Sequence, residues 1–118
     1  MSELKEILEN FCKIEGVLGA ILSDPDGTIL DKTIENLDEF APLEPLLHRS
    51  TQIGIEAALK FQKDGLNQSY IEFEDLSITS VILARGHILT IFTSSGVNLG
   101  RIRLEIRKSK KAIEGLTN

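Results

Sequence analysis

Apolar residues recur along the chain with two different periods, which predicts helices alternating with strands. Near the start, apolar positions at offsets of 0, 3, 4 and 7 predict a helix that Ser2 caps. Residues 17–23 form a nearly unbroken apolar run, which is typical of a central strand covered on both faces. An Asp-Pro-Asp-Gly turn at 24–27 and a return strand over 28–33 complete a hairpin.

A long middle helix is predicted next. Pro42 or Pro45 opens it, because proline is tolerated in a first helical turn, and the helix reaches about Lys63. Gly65, which follows an aspartate, ends it. The acidic segment before this helix, residues 34–41, shows no regular pattern.

Three strands and a last helix fill the rest of the chain. The strands are predicted over residues 68–74, 77–84 and 88–94. Their short connections indicate antiparallel neighbours. Asn98 caps the last helix, which is expected to run to about Glu114 and to stop at Gly115. This order predicts one α/β domain over residues 1–118, with an antiparallel five-stranded sheet and helices covering its faces.

The composition fits a globular domain and excludes several classes of protein. The 118 residues are 42% hydrophobic and 26% charged, which supplies enough apolar side chains for a core. A formal net charge of −5 argues against general nucleic-acid binding, since that requires a basic surface. The longest uncharged stretch, residues 86–100, is too short and too polar to cross a bilayer. The start of the sequence lacks a secretory pattern, so we expect a cytoplasmic protein.

The sequence offers few candidates for catalytic or metal chemistry. Cys12 is the only cysteine, which excludes an intrachain disulfide, and its position on the first helix favours a small core residue. His48 and His87 have no histidine or cysteine near them at ligand spacing, so a zinc site is not expected. Asp24 and Asp26 lack the other ligands of a calcium loop. We therefore expect no enzyme activity, no cofactor and no metal.

Three segments resemble the roadblock / dynein light-chain family, and together the resemblance covers nearly the full chain. They are residues 14–24 (IEGVLGAILSD) with the Asp26-Gly27 turn, 71–75 (IEFED) and 98–107 (NLGRIRLEIR), of which the last is the most specific. The resemblance implies that the middle helix covers one face of the sheet and the two terminal helices cover the other. It also implies homodimers or heterodimers in which middle helices pair and the third strands join two sheets. Roles in this family include dynein subunits, scaffolds for small GTPases and bacterial activators of the mutual gliding-motility type.

The middle helix and the third strand carry the predicted dimer interface. One broad apolar face of the helix, which includes Ile53, is expected to lie on the sheet. A second apolar stripe remains, which we interpret as a self-association face; contact with the segment before the helix is the alternative. The strand at 68–74 is either an edge protected by its glutamates or a pairing edge, and the resemblance favours pairing. The predicted interface residues are His48, Thr51, Ile55, Leu59, Tyr70, Ile71 and Phe73.

Two charged surfaces are further candidates for partner binding. The outer side of the middle helix would display Arg49, Gln52, Glu56, Lys60 and Lys63. The resemblance makes this side a platform for a folded partner, and a plain solvated surface is the alternative. Residues 98–118 carry six bases and two acids, and Leu104 points away from the apolar face of the last helix. Those bases either complement the helix dipole or attract an acidic partner or a membrane surface.

The expected function comes from the resemblance rather than from a single residue. It implies a non-catalytic dimeric regulator or scaffold that binds a small Ras-like GTPase, without nucleic acid and without membrane insertion. Whether GTP hydrolysis is stimulated stays open. Two alternatives remain: a structural adaptor subunit of a motor or signalling complex, whose binding ignores the nucleotide, and a small-molecule sensor.

Overall fold

The structure, a computed structural model, describes residues 3–34, 49, 52, 53, 56, 60 and 67–117. Its elements are α1 (Glu3–Cys12), β1 (Val17–Ser23), β2 (Ile29–Ile34), β3 (Gln68–Glu72), β4 (Leu76–Ile82), β5 (Ile88–Ser94) and α2 (Leu99–Leu116). The helical residues 49, 52, 53, 56 and 60 lie between β2 and β3 in the sequence. The predicted order of these elements is confirmed wherever the chain is described.

The five strands form one antiparallel sheet with the order β2-β1-β5-β4-β3. The consecutive pairs β1–β2, β3–β4 and β4–β5 are joined by short turns, as predicted. The contact between β1 and β5 instead joins segments that are distant in the sequence, and it places both strands inside the sheet. β2 and β3 are consequently the two edges.

One face of the sheet carries both terminal helices. Their apolar sides share a core with alternate residues of β1, β4 and β5, which confirms that the two helices lie on the same face. The helical members of this core are Leu8, Phe11, Ile102, Ile106 and Ile113. Burial of these side chains is the main stabilising contribution on this face, at roughly 1.5–3 kcal/mol for each large side chain.

The opposite face has its own, smaller apolar cluster. Ile21, Ile78 and Phe92 are buried there, because side chains of the other parity on the same three strands point this way. Partly buried residues around them are Ile29, Ile34, Ile71 and Leu76. This is the face that the resemblance assigns to the middle helix, whose packing lies outside the described residues.

The first hairpin turn has the predicted chemistry. Asp24 Oδ1 accepts hydrogen bonds from the backbone N–H groups of Asp26, at 2.9 Å, and Thr28, at 3.0 Å. Gly27 has a φ of 92°, a conformation that glycine adopts without strain. The side chain of Asp24 therefore fixes the turn between β1 and β2.

Two sequence predictions are wrong in detail. Gly115 does not stop the last helix: α2 continues to Leu116 and ends at Thr117, whose hydroxyl donates to the Ile113 carbonyl at 3.1 Å. Gly115 lacks the positive φ that a helix-stopping glycine adopts, so it is an interior helical residue. In β1, a register shift between Val17 and Gly19 leaves the Leu18 side chain 40% exposed, so the strand is not covered along its whole length.

None of the helices in the described part of the chain combines the length and the hydropathy that a membrane-spanning segment requires.

Candidate functional site

An exposed helical stripe is the first candidate site. Its members, at offsets of 0, 3, 4, 7 and 11, fall on one side of a helix at 100° per residue. Four of the five are exposed and Gln52 is half-buried. These residues, named here the helical stripe, are Arg49, Gln52, Ile53, Glu56 and Lys60.

Ile53 corrects the sequence prediction for this helix. It was expected to lie on the sheet, yet its side chain is 64% exposed. On a helical projection it lies about 40° from Arg49, at the margin of the apolar face rather than at its centre. An apolar side chain thus stands among charged and polar neighbours on an outer surface. An exposed apolar side chain with polar neighbours can act as an interface anchor, because a buried apolar anchor contributes more affinity than its polar surroundings.

The free edge at β3 is the second candidate site. Within the described residues this strand pairs only with β4. Ile71 is half-buried against the Ile21–Ile78–Phe92 cluster, whereas the Phe73 side chain, which follows the strand, is 51% exposed. An edge strand with exposed aromatic residues can add a strand from another chain.

Tyr70 occupies the other face of this edge. Its hydroxyl lies within hydrogen-bond distance of Ser77 Oγ, at 3.0 Å, and of Glu72 Oε2, at 3.4 Å, while the residue stays 39% exposed. These hydrogen bonds hold the phenol against its own sheet. The ring is therefore ordered and accessible, which lowers the entropic cost of using it in an interface.

The structure places only part of the predicted site. The platform residues Arg49, Gln52, Glu56 and Lys60 share the helical stripe, and Tyr70, Ile71 and Phe73 share the β3 edge. His48, Thr51, Ile55, Leu59 and Lys63 lie outside the described residues. The roles assigned to all of these residues remain predictions. Sequence reasoning missed Ile53 as a surface residue; its position at the margin of the apolar face was the signal.

A groove of about 530 Å³ lies where the end of α1 meets the start of α2. Two of the segments that resemble the roadblock family, residues 14–24 and 98–107, contribute to its walls. Asn98 Oδ1 accepts the backbone N–H of Arg101 at 3.2 Å and so caps α2 as predicted. The two segments therefore have a shared structural role, because they form the junction between the terminal helices.

Reactive side chains in the described residues are dispersed. Cys12 is half-buried, with its Sγ 3.7 Å from the carbonyl oxygen of Thr33. His87 is half-buried in the turn before β5, and its Nδ1 lacks a hydrogen-bond partner. No three His, Cys, Asp or Glu side chains of the described ranges come together as a metal site would require. Exposed surfaces are consequently the strongest candidate sites.

Comparison with known proteins identifies the fold. No family model matches the sequence, and no curated protein matches it. Solved structures do: Myxococcus xanthus MglB superposes with a TM-score of 0.88 at 14% identity, covering 99% of this chain and 96% of that one. The chain has the Roadblock/LC7 fold.

Two further roadblock structures agree with this assignment. A Roadblock/LC7 domain from Streptomyces avermitilis has a TM-score of 0.87 at 14% identity and covers 98% of both chains. The gliding protein MglB from Thermus thermophilus has a TM-score of 0.78 at 16% identity, covering 95% of this chain and 89% of that one. At such identities the likeness is one of fold. It confirms the five-stranded antiparallel sheet and the Roadblock/LC7 fold that the sequence resemblance implied.

Proposed function

We propose that this roadblock-fold protein is a non-catalytic dimeric regulator or scaffold that binds a small Ras-like GTPase. The helical stripe is the proposed contact surface, and the observation that carries this assignment is the 64% exposure of Ile53 among charged neighbours. The GTPase as partner comes from the sequence resemblance, and the MglB-like fold supports it. A surface of this composition binds a folded protein through an apolar centre and a polar rim.

The proposed dimer supports this function because it would offer two helical stripes to one partner. Pairing of two β3 edges would continue one sheet into the next, with Tyr70 and Phe73 at the seam. Antiparallel pairing of two equivalent edges places the two-fold axis perpendicular to the sheet, so the same face of both copies, and with it both helical stripes, would lie on one side of the assembly. Two copies of Ile53 would then be presented to one partner.

The proposed mechanism requires no reactive residue from this chain. A surface that binds one switch-loop arrangement better than the other shifts the GTPase toward that arrangement. The groups that orient the attacking water and stabilise charge can all belong to the GTPase itself. The effect of a regulator on its partner is limited by the difference in its affinity for the partner's two states, so a regulator, unlike a scaffold, must bind in a nucleotide-dependent way.

Affinity purification from a lysate of the source organism tests the proposal. The tagged protein is incubated with lysate containing GDP and, in parallel, with lysate containing a non-hydrolysable GTP analogue. Recovery of a small GTPase preferentially with the analogue supports a regulator. Recovery of the same partners with both nucleotides, and no GTPase among them, contradicts the proposal and favours the structural adaptor.

A matched pair of variants locates the contact. Ile53→Arg should reduce GTPase recovery at least tenfold, because it places a charge where an apolar anchor would be buried. Leu30→Arg is the control, since Leu30 is also an exposed apolar residue, 46% exposed, but lies on β2 at the opposite edge of the sheet from β3. Equal recovery with both variants would contradict the helical stripe as the contact surface.

A further inference from the structure

The outer side of α1 carries a row of acids. Glu3, Glu6 and Glu9 are all exposed and project away from the buried Leu8 and Phe11. None of the three forms an ion pair with another described residue. We name these three residues the acidic ridge.

The outer side of α2 carries the opposite charge. Leu104, 43% exposed, lies opposite the buried side of the helix. Around it, one or two turns away, are the exposed bases Arg107, Lys108 and Lys111, named here the basic ridge. No ion pair joins these bases to another residue in the described part of the chain.

The two acids of α2 leave this charge uncompensated. Glu114 Oε2 accepts the backbone N–H of Ala84 at 2.7 Å, and Glu105 Oε2 accepts the Ser109 hydroxyl at 3.2 Å. Both carboxylates are only partly exposed and lie on the flanks of the helix, about 80–100° around it from Leu104, rather than on the outer side with the three bases. The outer side of α2 is therefore cationic.

The two ridges belong to one surface of the domain. α1 and α2 pack against each other on the same face of the sheet, and the end of α1 meets the start of α2 in one groove. A single layer thus displays an acidic helix beside a basic helix. Across a two-fold axis, such a layer is complementary to itself, because each acidic ridge would meet the basic ridge of the other copy.

We propose that this layer is a second self-association surface, whose occupant is another copy of this chain. It lies on the sheet face opposite the Ile21–Ile78–Phe92 cluster, so it is separate from the surface that the resemblance assigns to the middle helix. Leu104 provides an apolar contact within it. Together with the proposed dimer, the layer joins dimers into larger assemblies.

Charge distribution favours a second copy over an anionic membrane. A flat lipid surface would meet the acidic ridge as well as the basic ridge, and the acids would oppose binding. The apolar side of α2 is also occupied, since Ile102, Ile106 and Ile113 are buried in the core and cannot enter a bilayer. A second copy of the chain, by contrast, can place bases against the acidic ridge and acids against the basic ridge at the same time.

Analytical ultracentrifugation of charge-reversal variants tests the proposal. The wild-type protein should gain mass with concentration at about 0.02 M salt and lose this association at about 0.5 M, where screening shortens the range of charge interactions to a few ångströms. The acid-reversed variant (Glu6→Lys with Glu9→Lys) and the base-reversed variant (Arg107→Glu with Lys111→Glu) should each fail to associate in this way. An equimolar mixture of the two should associate again, because one then carries two basic ridges and the other two acidic ridges.

Control variants separate the ridges from net charge. Asp26→Lys and Arg85→Glu reverse exposed charges in turns outside both helices and should leave the association unchanged. Failure of the mixture to associate, or wild-type protein without salt-dependent association, would overturn the proposal. Binding of the wild type to phosphatidylserine vesicles, lost in the base-reversed variant and unaccompanied by self-association, would also overturn it and assign the basic ridge to lipid.

The readout is independent of the proposed GTPase-binding dimer. A wild-type protein that is monomeric at high salt would contradict the β3 dimer, yet the mixture of variants would still show whether the ridges pair. A protein that stays dimeric at high salt and whose reversed variants do not complement each other would leave the dimer standing and reject the second surface.

Discussion

The backbone N–H of Ser94 donates to the carbonyl oxygen of Gly16 at 2.8 Å, and the Ser94 hydroxyl donates to the same oxygen at 3.3 Å. This pair joins the end of β5 to the turn between α1 and β1. Gly16 adopts a φ of 93° there, which L side chains rarely reach. These hydrogen bonds therefore fix the turn between α1 and β1 to the end of β5, which is where both terminal helices attach to the sheet.

Replacement of Gly16 by alanine should destabilise the protein for two reasons. The backbone conformation becomes strained, and the new Cβ would lie 2.9 Å from Val97 Cγ2. We expect the free energy of unfolding to fall by about 2–4 kcal/mol in urea titrations followed by circular dichroism. Gly96→Ala is the matched control, since Gly96 has a φ of 82° and nothing within 4 Å of its added Cβ. If the free energy of unfolding falls by the same amount in both variants, the contact between the new Cβ and Val97 does not destabilise the protein.

The N-cap of α2 can be tested with two substitutions of Asn98, one that removes the cap and one that keeps it. Asn98→Ala removes the side-chain oxygen that accepts the Arg101 N–H, and it should lower the free energy of unfolding by about 1 kcal/mol. Asn98→Asp keeps an acceptor and adds a negative charge at the helix N-terminus, so its stability should equal or exceed that of the wild type. If Asn98→Asp lowers the free energy of unfolding as much as Asn98→Ala does, the capping role of this residue is contradicted.

Replacement of Gly115 by alanine should stabilise the protein, unlike the two substitutions above. It lies inside α2 without a positive φ, and an added Cβ meets nothing within 4 Å. Gly115→Ala should therefore raise the free energy of unfolding by about 0.5–1 kcal/mol, since alanine restricts the unfolded chain and favours the helix. A lower thermal unfolding temperature for Gly115→Ala than for the wild type would instead support the sequence-based prediction that Gly115 ends the helix.

The dimer prediction is tested on the middle helix. Ile55→Asp with Leu59→Asp should give a folded monomer in sedimentation experiments, because buried carboxylates would oppose association at the predicted seam. Ile53→Asp is the matched control: this residue belongs to the helical stripe, and its replacement should leave the dimer intact. A double variant that sediments as a dimer would contradict the assignment of Ile55 and Leu59.

Most of the element pattern follows from local chemistry, and the exceptions have physical causes. The Asp24 turn and the Asn98 cap were predictable because their hydrogen bonds join residues at most four apart. Leu18 was not: its exposure results from a bulge set by pairing with β5, some seventy residues away. Ile53 lay at the margin of a helical face, where periodicity alone cannot decide which side is buried.

The sequence by itself determined the types and order of the described elements, their turns and caps, and the uneven charge of the last helix, since these depend on neighbouring residues. It also carried the roadblock resemblance that the fold confirms. Only the tertiary structure decided that β1 lies beside β5, that β2 and β3 are the edges, and that an acidic and a basic helix share one surface. Those relationships depend on contacts between distant segments, which apolar burial selects and no local pattern encodes.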